Sequence, residues 1–387
     1  MTKRLNIGLI GSGFMGQAHA DAFRRAGMLY RDLPAVPHLY MIADATPELA
    51  ADAAQRFGFE KSTGDWRELV NDPGVDVVDI TSPNAMHHDM ALAAIAAGKH
   101  VYCEKPLSVT VAEAEEMAAA ARARGVNTMV AFNNVKTPAA MLARQIIDAG
   151  EIGTPTRFRG WFDQGFFNDP DLPFSWRCTR KEAGSGALGD LGSHVISVAQ
   201  YLMGDVTSTI AQTQTFFPTR PVPQGAGGYS AKAAPDALRR QVENEDQVQA
   251  MIRFSNGAGG TIEASRMSAG KVFGVYWEVS GTEGSIIMDG ERFNELKVAR
   301  FGDPKRDRGF KTLLAGSQVP QFAAFFPFDF AGGGLGYFDV KVIEVRDLIA
   351  GICEADRCDP DFDFGLKNMR IIDAMERSLE SKTWEDV

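Results

Sequence analysis

Cysteine is scarce in this chain: four residues (Cys103, Cys178, Cys353, Cys358) in 387. Only the last two are close, and no His or Cys pair completes a metal-ligand spacing around them. That excludes a disulfide scaffold and a zinc module, and leads to the expectation of unpaired thiols, no bound metal and a cytoplasmic location. Long apolar runs are missing too, since none approaches the ~18 residues of a membrane-crossing helix. Lys3-Arg4 ahead of residues 5–10 has the charge of a short signal peptide, but Asn6 interrupts the run and no small-residue cleavage site follows. Basic residues are in deficit, 40 Lys plus Arg against 50 Asp plus Glu, a formal charge of −10. Nucleic acid and anionic membrane both require basic surface to displace counterions, so neither is expected as a partner. A phosphate-bearing small ligand stays open, because main-chain N–H groups can hold it.

What is present is an ordinary globular balance, 45% hydrophobic and 23% charged, with length for more than one core. The first third alternates strand-like runs (5–10, 38–43, 75–80, 100–103, 128–132) with helical ones (14–26, 47–57, 90–97, 111–124), and Gly27, Gly58, Gly98 and Gly125 fall at helix ends. This alternation predicts a parallel α/β sheet. After Asn133 the texture changes. A helix over 138–149 and a turn-rich hinge (150–155) lead into alternating β-branched segments at 156–162, 207–216, 247–254, 260–266, 275–280, 285–288 and 295–300. Turn signals at 255–257 and 281–284 predict antiparallel hairpins. Residues 218–235 read as a Pro/Gly-rich loop, and 340–352 and 364–379 as closing helices. The expected division is an α/β dinucleotide-binding domain over 1–133 and an α+β domain with one large, mostly antiparallel sheet over 134–387.

Gly11-Ser12-Gly13-Phe14-Met15-Gly16 is G-x-G-x-x-G placed after the first strand and opening the first helix. The first Gly permits the tight turn, the second lets main chain approach a pyrophosphate, and the third lets helix pack on strand. The second strand ends at Asp44, which can accept from an adenosine ribose and would repel a 2′-phosphate; residues 45–51 hold no Arg or Lys to compensate. NAD is therefore preferred to NADP. The plainer role for Asp44 is to cap the helix beginning near Pro47.

Two constellations can carry chemistry. Glu104-Lys105-Pro106 follows the strand at 100–103, and Ser82-Pro83-Asn84 with His87 follows the strand ending at Ile80, both where a dinucleotide site would lie. Lys105 is either a catalytic ammonium or a solvated surface lysine. Asp190 and His194 are spaced i, i+4, on one face of a helix or its first turn. Alcohol oxidation removes a hydride from carbon and a proton from oxygen. A neutral imidazole suits the proton, a carboxylate beside it fixes its tautomer, and an ammonium stabilises developing alkoxide. The plainer alternative is an N-cap aspartate and a buried structural histidine. His19 and His38 show no acid partner in a sensible place, and His88 and His100 read as structural. Aromatic-rich stretches at 161–180 and 322–338 suit the faces and hydroxyls of a sugar, though core or subunit interface is preferred for most of their phenylalanines.

Read together, these motifs, with Gly150-Glu-Ile-Gly153 and Gly189-Asp190-x-Gly192-x-His194, resemble the glucose–fructose oxidoreductase, inositol dehydrogenase and MocA (Gfo/Idh/MocA) family along nearly the whole chain. Trp176-Arg177, Glu243-Asn-Glu-Asp246 and Gly281-Thr-Glu-Gly284 extend the resemblance to bacterial scyllo-inositol, L-glucose and levoglucosan dehydrogenases. The resemblance implies a Rossmann domain followed by an open-sheet domain whose flat face mediates dimers or tetramers. It implies catalysis by Lys105, Asp190 and His194. NAD would be bound by Gly11, Gly13, Phe14, Met15, Gly16 and Asp44, with Ser82, Asn84, His87, Glu104, Asn133 and Arg177 around the nicotinamide, and the substrate would be a polyol or sugar. Two departures bear on substrate: Ser197 stands where many members have Asp, and Val135 where many have Arg. An NAD-dependent glycosidase or lyase working through transient oxidation is a second reading, and a non-catalytic NAD-binding regulator a third.

Overall fold

Thr46 and Thr110 each start a helix by supplying an oxygen to an otherwise unsatisfied N–H. In the computed structural model, which describes residues 3–223, 233–234, 236–326, 328, 334–354 and 358–387, Thr46 accepts from the Leu49 N–H, and Thr110 forms a reciprocal capping box with Glu113. Both helices end at left-handed glycines, Gly58 and Gly125. The elements run β1 (Lys3–Ile10), α1 (Phe14–Leu29), β2 (Ala35–Ala43), α2 (Pro47–Phe57), β3 (Lys61–Thr63), α3 (Trp66–Asn71), β4 (Val77–Ile80), α4 (His87–Ala96), β5 (His100–Cys103), α5 (Val111–Arg124) and β6 (Thr128–Val130). Strand order is β3-β2-β1-β4-β5-β6, parallel at every pairing. The order reverses between β1 and β4, so the carboxyl ends of these two strands flank the crevice where a doubly wound sheet takes its ligand. The sequence reading lacks β3 and α3. Three residues are too few to show a period, and α3 owes its start to Asp65, whose side chain accepts from the Arg67 N–H. All of β4 is buried, Asp79 included, and a carboxylate inside a central strand requires partners.

The chain divides into two compact units, Met1–Lys136 with Pro320–Lys367, and Thr137–Val319 with Asn368–Val387. In the second, α6 (Pro138–Asp148), β7 (Pro155–Asp163), α7 (Arg180–Ala183), α8 (Ser193–Met203) and β8 (Val206–Gln214) lead to a ribbon of β9 (Thr219–Pro221) and β10 (Arg239–Gln241). Next come β11 (Gln247–Phe254), β12 (Gly259–Ser265), β13 (Gly274–Gly281), β14 (Gly284–Asp289), β15 (Glu295–Arg300), β16 (Lys311–Leu314) and, near the end of the chain, β17 (Glu385–Asp386). They form a nine-stranded sheet, β16-β15-β14-β13-β7-β12-β11-β8-β17. Hairpins form at both expected turns. One pairing departs from expectation, for β7 and β12 run parallel in the middle of the sheet. Phe158, Gly160 and Phe162 face the covered side under α8. A side chain at Gly160 would meet Val195 Cγ1 at 2.7 Å, so this glycine sets how closely the helix lies on the sheet. The opposite face carries exposed Arg157 and Arg159, and the rings of Trp161 and Tyr276 stacked 3.9 Å apart.

The return of residues 320–367 to the first unit differs from the expected single run over 134–387. Its helix α9 (Tyr337–Glu354) packs on α1, and Val130 N–H donates to Pro360 O at 2.8 Å as Phe362 N–H donates to Thr128 Oγ1 at 3.2 Å. The last helix, α10 (Phe362–Ser381), carries the division after Lys367. Of the expected 218–235 loop, residues 224–232 and 235 lie outside the described residues, and part of the remainder forms the β9–β10 ribbon. Of the aromatic stretch at 322–338, residues 327 and 329–333 lie outside them as well. Among the described residues no helix is long and apolar enough to cross a membrane, and no group of three or more His, Cys, Asp or Glu is arranged to hold a metal ion.

Candidate active site

The turn from β1 into α1 is built for close approach. Gly11 has φ +101°, where L side chains are strained. Gly16 lies so near the preceding loop that a Cβ would stand 2.1 Å from Gly11 O, whereas a Cβ on Gly13 would meet nothing within 4 Å. No side chain caps α1 at Gly13 and its first turn holds no acid, so the positive end of the helix is left for an outside acceptor. Asp44, at the end of β2, accepts from Ser12 N–H at 2.8 Å and Ser12 Oγ at 2.5 Å through one oxygen, and from Ala45 N–H through the other. It does not cap α2, since Thr46 does. Phe14 is exposed and stacks with Tyr337, whose hydroxyl reaches Met15 Sδ at 3.7 Å. Open space over Gly13, an uncapped helix start and a carboxylate at the end of β2 together fit an NAD pyrophosphate and ribose.

Beyond β4 and β5 lie the other expected first-unit residues. Asn84 begins a short 3-10 turn, Ser82 Oγ donates to Met90 Sδ, and Lys105 is half-buried. His87 is fully buried, its Nδ1 2.9 Å from Pro106 O in the loop after β5 and its Nε2 3.0 Å from Ser82 O in the loop after β4, of which a neutral ring donates to one. Burial pushes its pKa down. Asn133, after β6, is 1% exposed, and neither end of its amide has a hydrogen-bond partner within the protein. An orphaned buried amide costs about 1–3 kcal/mol per group, which a ligand's carboxamide or hydroxyl would recover.

Beneath these loops is a cluster that the sequence reading missed. His19 Nδ1 lies 2.9 Å from Asp79 Oδ1 and Nε2 3.0 Å from Glu104 Oε1, and His38 Nε2 lies 2.9 Å from Glu60 Oε2, correcting the expectation that His19 and His38 have no acid partner. Burial alone would lower the ring's pKa, but the Asp79 charge and the two carboxylate hydrogen bonds outweigh it and raise it. Lys341 of α9, 1% exposed, donates to the same Glu104 Oε1 at 2.9 Å and pairs with Glu344 at 3.1 Å. Tyr102 donates to Glu344 at 2.8 Å and stacks on His19 at 4.6 Å, closing a ring of buried groups. Burial would raise the Glu104 carboxyl, yet Lys341 and His19 hold it well below the usual range. Glu104 was expected beside the nicotinamide; its side chain is turned inward and 93% covered. Spacing carried no signal for the cluster, although an Asp within the apolar run at 75–80 did.

The second unit supplies the other constellation. Asp190 lies in a π turn, Leu188–Gly192, running directly into α8, where His194 occupies the first turn. The wider turn replaces the regular helical face that the i, i+4 spacing predicts, and π turns recur at functional sites. Glu245 braces it, its Oε1 accepting from Leu188 N–H and its main-chain O from Ala187 N–H. Asp190 is therefore inside a helical stretch rather than at an N-cap. His194 is buried, edge-on to Phe162. Ser197 Oγ donates to His194 O at 2.7 Å, so the residue standing for the family's Asp is turned onto its own helix. Arg177 stacks on Trp176 at 4.3 Å, and its carbonyl accepts from Asn244. Phe167 and Phe174 belong to core with Cys178 and Val242, as the plainer reading of that segment has it. Burial and Glu263 push the half-buried Asp163 carboxyl upward.

Two family models match the chain: an oxidoreductase family with an NAD-binding Rossmann fold over residues 5–132, and a GFO/IDH/MocA C-terminal domain over 141–287. Levoglucosan dehydrogenase of Pseudarthrobacter phenanthrenivorans is 42% identical over 100% of this chain and 98% of its own. A solved structure of levoglucosan dehydrogenase with NADH and levoglucosan superposes with a TM-score of 0.93, covering 100% of this chain and 99% of the other at 42% identity. An NAD-binding oxidoreductase structure from Klebsiella pneumoniae is 64% identical, with a TM-score of 0.94 and 99% of each chain covered.

Proposed function

Since the chain belongs to the Gfo/Idh/MocA family of oxidoreductases and carries its NAD-binding Rossmann domain, we propose that it oxidises a secondary hydroxyl of a sugar, glycoside or cyclitol. The observation that carries the reading is Lys105, half-buried on the loop after β5, the strand next to β4 at the reversal of sheet order. Full-length similarity to levoglucosan dehydrogenase makes levoglucosan the first substrate to try.

Gly11, Gly13, Phe14, Met15 and Gly16 hold the dinucleotide through main chain and helix terminus, Asp44 the adenosine ribose, and Ser82, Asn84, Asn133 and Arg177 the nicotinamide end. NAD, when bound, supplies the hydride acceptor. Lys105 donates to the substrate oxygen and stabilises the alkoxide as it develops. His194 takes the hydroxyl proton, and Asp190 keeps the imidazole oriented for it. Asp163 favours a second reading, because a half-buried carboxyl whose pKa burial and Glu263 push upward is the kind of group that can serve a leaving group in a redox-neutral glycosidase. We further infer that copies associate as dimers or tetramers through the open sheet face bearing Trp161 and Tyr276, which light scattering tests. The four cysteines, none of them in a disulfide, suit a reducing compartment, the cytoplasm.

The test is a panel of sugars, anhydrosugars and cyclitols with NAD, read at 340 nm and by product analysis. NADH accumulating in proportion to substrate consumed is expected. Glycoside cleavage without NADH would instead establish the glycosidase, and no turnover with NADH bound would leave the non-catalytic regulator.

A further inference from the structure

The Lys105 ammonium sits at the end of four methylene carbons, so the space it can reach is set by where its main chain is held. The Glu104 carboxylate holds it: Oε2 accepts from the Lys105 N–H at 3.1 Å, while Oε1 takes both His19 Nε2–H at 3.0 Å and Lys341 Nζ at 2.9 Å. One residue further on, Pro106 O lies 2.9 Å from His87 Nδ1. The Lys105 main chain is thus held from the Glu104 side. The hold from Glu104 is backed by His19 and Lys341, themselves paired with Asp79 and Glu344. Lys341 comes from α9, 237 residues later in the chain. Buried ion pairs of this kind seldom earn their place by stability alone, since apolar packing of similar volume is often as good. They do fix geometry.

We propose that Glu104, with His19 and Lys341 behind it, is a positioning group for Lys105, acting through the Lys105 main chain rather than by touching cofactor or substrate. The inference rests on the dehydrogenase reading, in which Lys105 is the ammonium at the substrate oxygen. It gives α9 a positioning part in the reaction through Lys341.

The decisive variants are Lys341→Met and Lys341→Met with Glu344→Gln. The second returns the cluster's net charge to its original value while leaving the Glu104 contact missing. In the double variant the melting temperature should recover most of what the single variant loses. Exchange of the Lys105 amide hydrogen in the cofactor-free protein, resolved by overlapping fragments, should still be at least tenfold faster than in the parent. The double variant's kcat should remain at least tenfold low, with the NADH dissociation constant within about twofold. In a Lys105→Ala background the same double substitution should lower kcat no further, because the group it positions is gone. Recovery of kcat and amide protection along with melting temperature would overturn the proposal, as would an equal further loss in the Lys105→Ala background. If Lys105→Ala itself turned over normally, the role of Lys105 in the reaction would fall. The amide-exchange result would still decide whether Lys341 holds its main chain.

Discussion

Gly13→Ala and Gly16→Ala add the same methyl group three residues apart and should fail in opposite ways. At Gly16 the new Cβ would stand 2.1 Å from Gly11 O, about 1.3 Å inside the 3.4 Å where ordinary contact begins, and the obstacle is main chain. Overpacking of this severity costs about 2–3 kcal/mol, which in a unit of this size lowers Tm by roughly 4–12 °C. At Gly13 the protein offers no atom within 4 Å, and φ −65°, ψ −169° is open to alanine. Reduced freedom of the unfolded chain and the poorer N-cap offset to within about 1 kcal/mol, so Tm should move by no more than about 4 °C. The space over Gly13 is where main chain would meet the pyrophosphate. A methyl there should weaken NADH by about 1–3 kcal/mol, roughly 5- to 150-fold in Kd. Differential scanning fluorimetry without cofactor and NADH fluorescence titration separate the two effects. NADH binding of parental strength by Gly13→Ala would refute the placing of the dinucleotide against this turn. An unshifted Tm for Gly16→Ala would refute the close packing of α1 on its loop.

Other outcomes are expected of single groups. Asp44→Ala should weaken NAD and narrow its advantage over NADP, as measured by paired titrations, because it removes both the ribose acceptor and the charge opposing a 2′-phosphate; unchanged selectivity would assign that discrimination elsewhere. Lys105→Ala should lower kcat by about two orders of magnitude, the scale of losing one preorganised donor, with NADH affinity little altered. His194→Asn should abolish most activity and, in what remains, the acid limb of the pH–rate profile for oxidation; survival of that limb would point to another base. His19 has a raised pKa in the folded state, so its contribution to stability is fully present below the ordinary imidazole value of about 6.5 and is lost as pH rises through the raised one. The Tm gap between the parent and His19→Gln should accordingly shrink with rising pH, and a gap that widened would reverse the assignment.

The parts legible in the sequence were those written in local chemistry. Strands β1 and β5, the Thr-capped helices and the fingerprint announce themselves within a dozen residues, and the hairpin turns within four. Pairing partners do not. Nothing near Thr261 or Arg159 says that β12 lies parallel to β7, and the apolar period of 340–352 foretells a helix without saying which unit it packs in. The candidate site divides the same way. Lys105, Asp190 and His194 stand in recognisable motifs, but His19 read as partnerless because its acids are 60 and 85 residues away. Glu104 read as a ligand-facing residue because a motif cannot tell inward from outward. The π turn is equally silent, for it depends on Glu245 gripping Leu188 from 57 positions off.

The return of α9 sets a timetable for the nascent polypeptide. Emerging from the ribosome, residues 1–136 contain every strand of the parallel sheet, yet Glu104 waits 237 residues for the ammonium of Lys341. At synthesis rates of about 5–20 residues per second, that wait lasts roughly 10–50 s. Throughout it the sheet holds Asp79 and Glu104 with only His19 of their basic partners in this ring, and the surface of α1 that α9 will cover stands open. The second unit is translated almost whole in the interval. Its sheet therefore has time to pair while the nucleotide-binding half still lacks α9.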